Sequence, residues 1–243
     1  SPIYSFTDCY ETTHIDSSTD QYCVANRDTF YYPIKTMKKN SYYLVSLGCA
    51  KNTVDSDSMA VLLERDGFTA VERPSNAGLL IVNTCGFIKS AREESIQVLQ
   101  ELAENKKPGQ LLIATGCLPE RSRDLIVQSV QGVDGFLGTR RWMDILELVK
   151  GLRSDPSKPR YHIPETDTVG KDEKDVVRTA IQGASAYLKI ADGCRRPCAF
   201  CSIPLIKGTT VSRPAESIIA DARIMQDYGI KELVLIAQDT TDY

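Results

Sequence analysis

Histidine is almost missing from this 243-residue chain, which has only His14 and His162. A structural zinc site of mixed cysteine and histidine ligands, or a multi-histidine metal centre, therefore has almost nothing to draw on. Long apolar runs are missing too. None approaches the roughly 20 residues that span a bilayer. The N-terminal stretch has no apolar core and carries Asp8, Glu11, Asp16, Asp20 and Asp28, which fits neither a secretory signal nor an acid-poor transit peptide. The expectation is a cytoplasmic protein with no membrane partner. Nor is there a basic excess: 29 Lys and Arg face 32 Asp and Glu, for a net charge of −3. Nucleic-acid binding usually leaves a basic footprint, so this balance disfavours it and suits a basic protein partner better.

What the chain does have is cysteine, eight of them, in a sequence that is 42% hydrophobic and 25% charged. In a cytoplasmic chain such cysteines point to metal binding or catalysis rather than to a disulfide framework. Two of them, Cys9 and Cys23, lie in residues 1–36, a mixture of Ser, Thr, Asp and Tyr without periodicity. That segment reads as a disordered extension whose cysteines are not ligands.

From Tyr42 the pattern alternates between strand and helix. YYLVSL (42–47), AGLLIVNT (77–84) and QLLIATG (110–116) read as buried strands, with FTAVE (68–72) and 135–137 as weaker ones. Helices are expected over 53–66, 89–105, 119–130 and 142–152, each with apolar residues on one face and several closed by Gly or Pro. Residues 37–152 thus predict an α/β domain built on a doubly wound parallel sheet. The Pro- and charge-rich segment 153–183 reads as a linker or surface excursion. Alternation resumes over 184–243 with strand 186–191, a cysteine loop, helix 214–228 and strand 231–238. One such unit cannot close a barrel, so the expectation is the start of a (β/α) partial barrel, truncated at its C-terminus.

Three cysteines share one address, each directly after a strand: Cys49 after LVSLG, Cys85 after LIVNT and Cys117 after LIATG. Parallel strands bring all three thiols to the carboxyl edge, where open α/β sheets place ligands. Gly48, Gly86 and Gly116 flank them and let the backbone turn closely. A free cysteine is often just a small buried hydrophobe; three strand ends together predict a shared metal site. The other three, Cys194, Cys198 and Cys201, sit in GCRRPCAFC. Zinc would want a fourth ligand, and neither histidine lies in the compact elements. Three thiolates suit a four-iron, four-sulfur cluster with one iron left open to chelate a substrate.

The CxxxCxxC spacing, with Phe200 just before the last cysteine, resembles the radical S-adenosylmethionine superfamily signature. Read with SLGCAKN (46–52), NTCGFI (83–88), TGCLPER (115–121), SIP (202–204) and SRP (212–214), the chain resembles the radical methylthiotransferases. SLGCAKN and IAQDTT (236–241) are similar to the RimO branch, which modifies an aspartate β-carbon of a small-subunit ribosomal protein; the tRNA-modifying MiaB branch has Gln-Met-Asn where this chain has Ala50-Lys51-Asn52. Lys207-Gly208 stands where many relatives have Arg-Gly. The resemblance implies two 4Fe-4S clusters and S-adenosyl-L-methionine as cofactors. Cys194, Cys198 and Cys201 would hold the radical-generating cluster, and Cys49, Cys85 and Cys117 an auxiliary cluster that carries the sulfur. It also implies an electron donor of flavodoxin or ferredoxin type, and makes tRNA the less expected substrate. Phe200, Gln238 and Asp239 are expected cofactor contacts, and Arg195 and Arg196 could meet carboxylates of substrate or cofactor. Asp55 and Asp57, near a helix start, are expected to complement the helix dipole.

Overall fold

A computed structural model describes residues 22–24, 31–33, 38–164 and 173–243. A short antiparallel pair, β1 (Tyr22–Val24) with β2 (Tyr31–Pro33), precedes the main body. Cys9 and most of the expected extension lie outside the described residues.

The first unit runs β3 (Lys38–Ser46), α1 (Ala50–Arg65), β4 (Thr69–Ala70), β5 (Ala77–Thr84), α2 (Lys89–Glu104), β6 (Leu111–Gly116), α3 (Cys117–Ser129), β7 (Gly135–Gly138), α4 (Ile145–Ser154) and β8 (Arg160–His162). Its strands form a six-stranded sheet in the order β4-β3-β5-β6-β7-β8, parallel throughout. Every residue of β5 is buried, as expected of a central parallel strand covered on both faces. Successive side chains of a strand point to opposite faces, and the core divides accordingly. Leu79, Ile81 and Ile113 pack with Met59 and Leu63 of α1 and Leu148 and Leu152 of α4. Leu80, Val82 and Leu112 pack on the other side with Leu99 of α2 and Ile126 of α3. Two helices on each face make the sheet doubly wound.

The second unit carries β9 (Thr179–Gln182), β10 (Ser185–Lys189), β11 (Ala191–Asp192), α5 (Ile203–Lys207), β12 (Val211–Ser212), α6 (Ala215–Asp227) and β13 (Glu232–Ile236). β10 pairs in parallel with β13 and antiparallel with β9, while β11 and β12 close the base of the cysteine loop as an antiparallel pair. No helix among the described residues is long and apolar enough to cross a membrane.

Most expected elements are present within a few residues. The stretch expected as a linker instead holds β8, which completes the first sheet, and β9, which opens the second. The helix expected from Trp142 starts as a tight 3-10 turn over Thr139–Asp144 before α4.

Asp55 departs most from expectation. Helix α1 begins at Ala50, which puts Asp55 beyond the first turn, and the second unit packs over it; its side chain is 2% exposed rather than solvated at a helix end. Its carboxylate receives Lys189 Nζ at 2.8 Å and Lys207 Nζ at 3.2 Å, together with the Arg178 guanidinium. Arg178 also donates to Ser58 Oγ at 2.6 Å and lies 3.8 Å above the ring of Trp142, the only tryptophan. Asp192, Glu173 and Asp221 continue the network through Lys189, Lys207, Arg178 and Arg213. Four cations thus balance four carboxylates. Burial resists ionisation of Asp55, but Lys189, Lys207 and Arg178 outweigh it and hold the carboxyl far below its ordinary range. Burial likewise opposes charge on Lys207, but Asp192 and Asp55 hold its ammonium well above the usual lysine range.

Removing one partner of a buried ion cluster leaves the others uncompensated, at a cost of about 3–5 kcal/mol. Asp55→Ala should therefore lose about that much in urea unfolding at neutral pH. Because the folded pKa of Asp55 lies below the unfolded value of about 3.9, its contribution is complete above that pH and fades as the pH falls toward the depressed value. The gap between wild type and variant should narrow in acid. A gap below about 1 kcal/mol at neutral pH, the range of an exposed pair, would contradict this role.

Candidate functional site

The three strand-end cysteines of the first unit do meet. Cys49 is the N-cap of α1, and its carbonyl accepts from the backbone of Asn52 at 2.8 Å. Cys85 follows β5; its N–H donates to Ser95 Oγ at 3.0 Å. Cys117 is the first residue of α3, directly after β6. All three line one cavity of about 480 Å³, whose far wall comes from the second unit through Ile203, Ile206, Lys207 and Gln238.

Asparagines tie the strand ends around this cavity. Asn52 Nδ2 donates to Leu47 O at 2.9 Å and Thr84 O at 3.0 Å, and its Oδ1 faces Cys117 Sγ at 3.8 Å. Asn83 Nδ2 in turn donates to Asn52 O and Ser56 Oγ, each at 2.9 Å. Glycine is obligatory at two flanking positions. A Cβ on Gly48 would sit 2.8 Å from Cys85 Cβ, and one on Gly116 would sit 2.3 Å from Asn83 Oδ1 where φ is already +97°. The close turns therefore serve protein packing as well as any guest. Asn52 and Asn83 lie inside motifs singled out above, but nothing in their spacing marks them as struts.

Burial pushes the Cys117 thiol up to about 12, opposed by Lys207 and reinforced by Cys49 and Cys85. A bare thiol there stays protonated at neutral pH until a metal replaces its proton. Among the described residues, the only three metal-ligating side chains whose donor atoms lie within 4.8 Å of one another are Asp144, Glu147 and His162. Neither cysteine trio is gathered tightly enough for a single ion. An all-sulfur donor set spread around a roomy cavity fits a thiolate-held iron–sulfur cluster; a lone zinc it does not fit.

The second trio sits on the loop between β11 and α5. Gly193, at φ +78°, enters it, and a Cβ there would lie 2.1 Å from Thr209 O. The N–H of Cys194 donates to Gly208 O, and that of Cys201 to Cys198 O, each at 3.0 Å. Cys198 is exposed and Cys194 and Cys201 half-buried, while Phe200 is 92% exposed. The loop arginines already have partners: Arg195 Nε reaches the Asp242 carboxylate at 2.8 and 2.9 Å, and Arg196 pairs with Asp239. Thr241 and Arg196 lower the Asp239 carboxyl to about 2. Gln238 reaches the thiol-lined cavity, and its Oε1 is buried without a hydrogen-bond partner among the described residues.

Residues 41–138 match the family described as Uncharacterized protein family UPF0004, a span that includes Cys49, Cys85 and Cys117. Over 219 residues the chain is 42% identical to a ribosomal protein uS12 methylthiotransferase RimO of Roseiflexus sp. (strain RS-1), covering 83% of this chain and 46% of that protein. The same-named protein of Chloroflexus aurantiacus is 44% identical over 214 residues, covering 83% and 47%. The chain thus spans about half the length of these curated relatives, and the resemblance carried by its motifs extends over four fifths of it. Among solved structures, it resembles the radical S-adenosylmethionine methyltransferase TsrM from Kitasatospora setae with tryptophan substrate and aza-SAM bound. The TM-score is 0.57 at 13% identity, covering 82% of this chain and 48% of that one. At that identity the likeness concerns the fold alone.

Anaerobic reconstitution should load about eight irons per chain, as two thiolate-held four-iron clusters require. Replacing either trio by alanine, Cys49/Cys85/Cys117 or Cys194/Cys198/Cys201, should leave about four. One bound zinc and no iron would defeat the two-site reading.

Proposed function

We propose that this chain, similar over 83% of its length to ribosomal protein uS12 methylthiotransferases, serves the same reaction: adding a methylthio group to the β-carbon of an aspartate in that small-subunit ribosomal protein. One observation carries the reading. Three strand-end thiols converge on a cavity whose opposite wall belongs to the unit bearing the CxxxCxxC loop. This arrangement supports a site for delivering sulfur set beside the unit proposed to activate carbon.

The residues divide the work. Cys49, Cys85 and Cys117 would hold the auxiliary cluster, and Cys194, Cys198 and Cys201 the cluster that binds S-adenosyl-L-methionine at its open iron. When bound, this pair supplies the hydrogen-abstracting chemistry that an unactivated aspartate β-carbon needs, since no side-chain base readily deprotonates it. Phe200, within the loop, and Asp239, which also fixes Arg196, are proposed cofactor contacts. Gln238 offers its unpartnered carbonyl to the thiol-lined cavity. Ile203 and Ile206 keep that cavity apolar on the side facing the loop. We assign residues 37–152 to sulfur delivery and 184–243 to cofactor activation, with electrons from a flavodoxin- or ferredoxin-type donor in the cytoplasm. The acidic balance of the chain, net −3, suits a basic ribosomal protein better than tRNA.

In the full-length protein, replacing Cys49, Cys85 and Cys117 by alanine should abolish methylthio transfer to the ribosomal protein while reductive release of 5′-deoxyadenosine persists. Cys198→Ala should remove both. Mass spectrometry of the substrate and chromatography of the nucleoside read the two outcomes. Methylthio groups on tRNA adenosine instead of the ribosomal protein would overturn the substrate assignment.

A further inference from the structure

We propose that Lys207 is a positioning residue whose buried ammonium charge, fixed on the wall of the thiol-lined cavity, favours the reduced state of the cluster held by Cys49, Cys85 and Cys117. The inference rests on the functional reading above and assigns to one residue the tuning of that site.

Lys207 is 1% exposed, yet it borders the same cavity as the three thiols. Two carboxylates hold its Nζ in place, Asp55 Oδ2 at 3.2 Å and Asp192 Oδ1 at 3.4 Å. Asp55 belongs to the helix that Cys49 caps, and Asp192 ends the strand leading into the Cys194 loop. The backbone under Lys207 is clamped as well: from the first unit, Arg140 Nε donates to Ile206 O at 2.9 Å and its Nη2 to Leu205 O at 2.7 Å. Side chain and main chain are thus both fixed, so the charge cannot swing away as an exposed lysine's would.

Among the described residues no carboxylate lines the cavity; its charged residues there are Lys51 and Lys207, and of these only Lys207 is buried and held by ion pairs. A cluster ligated by three thiolates gains a further negative charge when one electron enters it from a low-potential donor. A fixed, buried cation nearby stabilises that reduced form more than the oxidised one. Asp55 and Asp192 act in the opposite sense, because both offset the same ammonium.

The test uses full-length protein bearing Cys194→Ala, Cys198→Ala and Cys201→Ala, so that only the auxiliary site can load. Its midpoint potential is read by redox titration followed by electron paramagnetic resonance. Lys207→Met should move the potential to a more negative value by a tenfold change in the reduction equilibrium, about 59 mV for one electron. Lys207→Arg should restore most of it, and Asp192→Asn should move it the other way. An unchanged potential in Lys207→Met with iron retained would overturn the inference, as would Asp192→Asn shifting in the same direction as Lys207→Met. Should Lys207→Met fail to load iron, Asp192→Asn decides: a more positive potential supports the inference and an unchanged or more negative one overturns it. If the triple-alanine parent itself takes up no cluster, it is the functional reading that fails.

Discussion

A single buried carboxylate, Asp55, organises the meeting of the two units. An ionised group out of water is tolerable only when paired on every side, and Asp55 obtains its partners from across the interface: Arg178, Lys189 and Lys207. None belongs to its own unit. The apolar contact beneath has Val54, Ala180 and Ile236 at its centre. Orientation of the second unit on the first is therefore set by charges, which have a narrow optimum in geometry, more than by apolar area, which has none.

That constraint reaches both cysteine sites through short lengths of chain. Asp55 lies on the helix capped by Cys49, Asp192 immediately precedes the turn into Cys194, and Lys207 ends the short helix after Cys201. The Asn52 and Asn83 struts then carry the geometry across the sheet edge from Cys49 toward Cys117. The cavity's thiols come from one side and its buried lysine, Lys207, from the other.

Much of this was legible in the sequence, for physical reasons that differ by element. Strand β5 appears over the residues expected because a central parallel strand is apolar without interruption. The cysteines were visible because each follows such a strand, and the glycines beside them because a tight turn excludes a side chain. Strand β8 was hidden: Arg160, Tyr161 and His162 form an edge strand with no apolar run. Helix α5 was hidden because five residues cannot show a helical period. The ion network was beyond reach, since Asp55 meets Lys189 and Lys207 across 134 and 152 positions of sequence. A lone Asp near a helix start looks the same whether it faces water, as Asp57 does, or another unit.

The central claim is that this buried ion cluster fixes one cysteine site relative to the other. Dipolar electron paramagnetic resonance between the two reduced clusters measures that relation directly. The account predicts one narrow distance distribution in the wild-type protein, and a broadened one in Asp55→Ala with both clusters still loaded. A wild-type distribution that is already broad, or one that Asp55→Ala leaves unchanged, would contradict it.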